Sequence, residues 1–97
     1  SLYIDYKIIP GIPANTFPIT EQFIDKIYNF CINHINHTSP YAHGDWQLSN
    51  ILIDGNNIQI VDWDNVGIYS PQEIIEKLHS DLKSSFGDKF TPPGMPQ

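Results

Sequence analysis

The stretch from His43 to Asp64 constrains this chain more than any other part of it. Two short β-branched runs, Ile51-Leu52-Ile53 and Ile58 to Val61, flank Asp54-Gly55-Asn56-Asn57. Gly, Asn and Asp tolerate the positive φ that a tight turn demands, so this pattern predicts a β-hairpin. A hairpin returns its two ends to one place. Asn50, at the mouth of the first strand, and Asp62, at the end of the second, are therefore expected to be neighbours. Asp45, on the loop just before, faces the same space.

That arrangement fits phosphoryl transfer. The reaction needs a carboxylate near the attacking hydroxyl, and an amide oxygen with a further carboxylate to hold Mg²⁺ on nucleotide phosphates. Mg²⁺ is a hard cation that prefers oxygen ligands, commonly one or two carboxylates with phosphates and water. The spacing from Asp45 to Asn50 matches the Asp-x-x-x-x-Asn of the protein-kinase catalytic loop, with Gly44 where that loop carries Arg. Asp62-Trp63-Asp64 stands where the metal-binding Asp-Phe-Gly would be.

Read together, His43-Gly44-Asp45, Asn50 and Asp62-Trp63-Asp64 resemble the aminoglycoside phosphotransferase and choline-kinase-like family. The resemblance implies that Asp45 is the catalytic carboxylate and that His43 packs beneath the loop as its scaffold. It also implies that Asn50 and Asp62 bind ATP through Mg²⁺. Asp64 is open to two readings, a further metal ligand or a solvated acid after the strand, and the second is preferred. The bland alternative is an acidic hairpin whose Asp and Asn serve as turn and cap residues, and for Asp54, Asn56 and Asn57 that reading holds.

Ninety-seven residues suffice for one domain, residues 1–97. The formal charge is -6, with five Lys and no Arg. A nucleic-acid grip relies on Lys and Arg to neutralise phosphates, so this balance argues against one. It suits a cationic ligand, although acidic surfaces also serve solubility alone. The single cysteine, Cys31, has no partner for an internal disulfide and sits among apolar neighbours. No apolar run approaches a membrane span and no signal peptide opens the chain, which points to a cytoplasmic location. The chain starts Ser1-Leu2 without an initiator Met, as a piece cut from a longer protein would.

Before the hairpin, Leu2 to Ile9 is aromatic and β-branched, hence strand-like, and Pro10-Gly11-Ile12-Pro13 is a turn or extended connector. Residues 1–18 resemble the hinge of the same family. Thr20 is placed to cap a helix over about 20–37, with Glu21 in its first turn and Ile19 as a staple. Phe23, Ile24, Ile27, Tyr28, Cys31, Ile32 and Ile35 recur at helical spacing on its apolar face. His34 and His37, three apart, read as helix-end imidazoles and not as a metal pair. Trp46 and Trp63 read as packing residues.

After the hairpin, Ser70, Pro71 and Glu73 spell a capping box for a second helix over about 70–86. Its stripe is Ile74, Ile75, Leu78, Leu82 and Phe86, and Gly87 can end it. The tail 91–97 is turn-rich. The expected fold class is therefore α+β: hinge strand, long helix, catalytic hairpin over 41–64, then a second helix. The resemblance makes this the C-lobe portion of a protein-kinase-like fold.

A kinase of this kind also needs a Gly-rich cover for the phosphates and a strand Lys. The six glycines are scattered, and Lys7 lies in the hinge-like segment. The expectation is an ATP-dependent phosphotransferase portion, acting on a hydroxyl of an aminoglycoside, choline or sugar and inactive alone. Its partners would be that small-molecule acceptor and either the missing N-lobe or a second copy. The alternatives are a non-catalytic kinase-derived binding module, and a small divalent-metal-binding protein or hydrolase using Asp45, Asp62 and Asp64.

Overall fold

A computed structural model describes residues 11–92. Most of the hinge-like segment, including Lys7 and the strand expected at Leu2 to Ile9, lies outside the described residues, as does the end of the tail. The fold is mixed α+β, with two helices and two small antiparallel sheets. Strand β1 (Ile12–Pro13) is followed by a 3-10 turn at Ala14–Thr16 and helix α1 (Glu21–Thr38). Then come β2 (Tyr41–Ala42), β3 (Ile51–Asp54), β4 (Asn57–Ile60), β5 (Gly67–Ile68) and helix α2 (Pro71–Phe86).

Both helices begin where their caps are written. The Thr20 hydroxyl accepts from the Phe23 N–H at 3.1 Å, satisfying one of the donors that a helix start leaves orphaned. At α2 the capping box closes in both directions: Ser70 Oγ accepts from Glu73 N–H and Glu73 Oε1 accepts from Ser70 N–H, each at 3.2 Å. Gly87 ends α2 at φ 64°. Along α2, Lys77 pairs with Asp81 one turn further on.

Most of the stripes read from the spacing are buried, while Phe23, Tyr28, Ile32 and Ile75 pack half-buried against the core. Ile24, Ile27, Cys31 and Ile35 of α1 join Ile74, Leu78, Leu82 and Phe86 of α2 in one apolar cluster with Trp46, Leu48, Ile51, Ile53 and Ile60. Each fully buried Ile or Leu contributes about 1.5–3 kcal/mol of transfer free energy. Tyr28 and His79 join the two helices through a hydrogen bond of 3.0 Å. Burial pushes the Cys31 thiol up to about 12, so it is an inert core group.

The larger sheet has strand order β1-β3-β4. The β3–β4 register pairs Ile51 with Ile60 and Asp54 with Asn57. The turn is thus only Gly55-Asn56, and Asp54 and Asn57 are strand residues, not turn residues. Gly55 takes φ 60° and Asn56 does not share a positive φ, the pattern of a Gly-X two-residue turn. Gly11-Ile12-Pro13, read as connector, instead lays Ile12 and Pro13 beside Ile53 and Leu52 as an edge strand. An edge is where a strand proline is tolerated, because its missing N–H breaks no ladder. The smaller sheet pairs Tyr41 with Ile68 and Ala42 with Gly67, and closes the segment 43–66 into a loop.

Several large apolar side chains remain exposed, namely Ile12, Tyr41, Trp63, Val66 and Ile68. No helix among the described residues is long and apolar enough to cross a membrane.

Candidate functional site

The hairpin does to its ends what its register requires. Ile51 pairs with Ile60, and one step further the Val61 N–H donates to the Asn50 carbonyl at 2.8 Å. Asn50 therefore lies opposite Val61, next to Asp62. On the other side, the Asn50 Nδ2 donates to the Asp45 carbonyl at 3.5 Å. That orientation commits the amide nitrogen inward and leaves the amide oxygen available to a cation.

His43 fastens the two halves. It is fully buried, with Nε2 2.7 Å from the Val61 carbonyl and Nδ1 accepting from the Asp45 N–H at 3.2 Å. Both bonds form together only when the proton sits on Nε2. One imidazole thus bridges the backbone of the Asp45 loop to the residue preceding Asp62. The adjacent Gly44 makes the same approach possible: at φ 87°, an added Cβ would collide with the Asn65 carbonyl oxygen.

Asp45 is half-buried and held from behind. Its Oδ1 accepts from the Gln47 N–H at 3.3 Å, a local turn bond typical of Asp. The next residue, Trp46, is wholly buried, and its N–H donates to Asp81 Oδ2 of α2 at 2.9 Å. The other Asp81 oxygen lies 3.6 Å from Lys77 Nζ. Sequence reasoning did not single out Asp81. It sits on the solvent-leaning flank of α2, and helical periodicity cannot say which distant loop such a carboxylate meets.

Asp62 has φ 65° and ψ 75°, and is alone among the described non-glycine residues in taking a positive φ. A left-handed conformation costs an L-residue roughly 1–2 kcal/mol, and such strain concentrates at functional positions. Its side chain is exposed and makes no cap bond to the 3-10 turn Trp63–Asn65 that follows. Asp64 lies on that turn, also exposed.

Trp63, read as a packing residue, is 41% exposed and packs over two imidazoles. Its ring centroid is 4.8 Å from that of His43 and 5.2 Å from that of His34. His34 is thus not a simple helix-end imidazole: it is wedged between Trp63 and Trp46, and its buried Nε2 has no hydrogen-bond partner. Burial, reinforced by His43 and His37, lowers its pKa below the ordinary 6.5. His37 does behave as expected at a helix end, with Nδ1 2.8 Å from the Asn33 carbonyl.

The arrangement offers a carboxylate on a braced loop, and beside it an amide oxygen and a second carboxylate at the hairpin mouth. Those hard oxygen donors suit Mg²⁺ carried on phosphates, which takes only one or two protein carboxylates. Among the described residues no three His, Cys, Asp or Glu side chains group as a metal site of their own. Compared with protein-family models, curated proteins and solved structures, the chain matches none.

Proposed function

We propose that this chain carries the catalytic-loop portion of an ATP-dependent small-molecule phosphotransferase. The observation that carries the reading is the His43 bridge, which fixes the loop bearing Asp45 against the residue before Asp62 while Asn50 faces it. In this reading Asp45 orients the acceptor hydroxyl and takes its proton as the oxygen bonds to the γ-phosphorus and ADP leaves. Asn50 and Asp62 would hold Mg²⁺, which when bound offsets the charge of the phosphates. Asp64, on the turn beyond, is assigned no metal.

The αL strain at Asp62 supports the same reading, since it falls on an exposed carboxylate that makes no cap bond to the turn after it. In such an enzyme the phosphate cover and its lysine would belong to the N-lobe. Positioning and electrostatics supply most phosphoryl-transfer catalysis, so these residues alone should turn over little substrate.

Calorimetric titration with ATP, with and without Mg²⁺, tests the proposal on the wild type and on Asp62→Ala. Expected is binding that requires Mg²⁺ and disappears in the variant. Magnesium-independent binding, or binding unchanged in Asp62→Ala, overturns the assignment of Asp62.

A further inference from the structure

His34 is a polar side chain placed where it meets only rings. It stands on the last turns of α1, and its buried Nε2 makes no hydrogen bond. Its centroid lies 5.9 Å from that of Trp46, edge to face, and 5.2 Å from that of Trp63. Phe30, one turn earlier on the helix, packs on it at 5.9 Å. Trp63 also touches His43, and it is the most exposed ring of this stack. In the chain it directly follows Asp62.

We infer that His34 is a positioning residue for Asp62, acting through Trp63: it seats that indole while neutral and releases it on gaining a proton. What Asp62 binds rests on the phosphotransferase reading; the latch itself does not.

Strain is the first argument. Asp62 is left-handed, and its side chain makes no cap bond that would offset the cost. The two aromatic pairs that Trp63 forms, with His34 and His43, are of the size needed to offset one left-handed residue. The turn carries Trp63 to its seat, and by linkage the seat in return holds the turn.

The chemistry of the seat is the second. A neutral imidazole packs as an aromatic body, whereas a protonated one is a donor at both nitrogens. At Nε2 that donor would be buried with nothing to take it, a costly arrangement for a cation. The titratable groups facing the ring are His37 on its own helix and His43 from the loop, and both disfavour its charge. Trp46, Trp63 and Phe30 are neutral. Asp62 and Asp64 flank Trp63 on the turn, but neither is bonded to Nε2. Water is the remaining partner, and displacing the half-exposed Trp63 admits it.

Acrylamide quenching of tryptophan emission and magnesium-dependent ATP binding, each followed from neutral pH to about pH 5, test this. Circular dichroism at each pH confirms that the chain stays folded. Trp46 is wholly buried, so quenching reports Trp63. In the wild type it should rise with a midpoint below 6.5, and Mg·ATP affinity should fall about tenfold over the same interval. His34→Phe keeps the seat without the proton, so it should hold both profiles level. His34→Ala empties the seat and should bind Mg·ATP about tenfold more weakly already at neutral pH. Quenching that is level in the wild type, or that still rises in His34→Phe, overturns the inference, whether or not His34→Ala folds. Mg·ATP affinity that ignores pH while quenching rises shows that the latch does not position Asp62, and overturns it too. A wild type that binds no Mg·ATP at any pH sinks the phosphotransferase reading, and the quenching profiles still decide the latch.

Discussion

The His43 ring donates to the carbonyl of Val61 across 2.7 Å, joining two segments that the hairpin alone would leave side by side but unbraced. A hairpin mouth is normally its least constrained part, because the ladder ends there. Here a buried side chain closes it.

Removing that ring should be costly. His43→Ala leaves the Val61 carbonyl and the Asp45 N–H without their partners and opens a cavity beneath Trp63. The expected loss is about 3 kcal/mol, measured by urea unfolding. A loss under about 0.5 kcal/mol would show that the bridge contributes nothing net.

Asp62 should show the opposite sign. Gly occupies the left-handed region without a Cβ penalty, so Asp62→Gly is expected to stabilise the chain by about 1 kcal/mol. The same change should abolish magnesium-dependent ATP binding. Destabilisation by Asp62→Gly would mean that the carboxylate itself supports the fold.

The two partners of the Asp81 cluster are not equal. Asp81→Ala removes a charge-assisted acceptor from the buried Trp46 N–H and should cost about 1.5–3 kcal/mol. Lys77→Ala breaks only a pair whose lysine is largely solvated, and should cost about 0–1 kcal/mol. Asp81→Asn keeps an acceptor and should fall between them. Equal losses for the two alanine variants would refute the view that Asp81 acts mainly on the loop.

Stability should fall on acidification below the ordinary histidine range. Burial lowers the pKa of both His34 and His79 from 6.5. Above that value neither folded nor unfolded chain carries these protons, and nothing is lost. As pH drops through 6.5 the unfolded chain takes them up first, so stability declines until the folded values are passed. Thermal melts between neutral pH and about pH 5 should record the decline, and His34→Gln should flatten it. An unchanged pH profile in that variant would assign the decline elsewhere.

Local signals were the legible ones. Thr20, Ser70 with Glu73, Gly87 and the β-branched runs around Gly55 each act within a few residues, so both helices and the hairpin can be read directly from the chain. The meeting of the hairpin's ends was legible to the same depth: a hairpin must bring Asn50 beside the residues around Asp62. What could not be read is set by packing between distant segments. The pairing of Ile12 with Ile53, the β2–β5 ladder and the Asp81 bond to Trp46 all depend on how α1 and α2 fold back. Trp63 belongs here too, since its seat over His34 and His43 follows from the left-handed turn at Asp62. No residue pattern announces that turn.

The Trp46 N–H also gives this molecule an internal reporter. Its acceptor is a carboxylate on α2, not a strand carbonyl, so the sheet can stay zipped while this one amide is released. Its hydrogen-exchange rate, set against those of the β3–β4 amides, thus measures how often α2 lifts off the loop. In the proposed enzyme that is the frequency with which the catalytic carboxylate loses its backing.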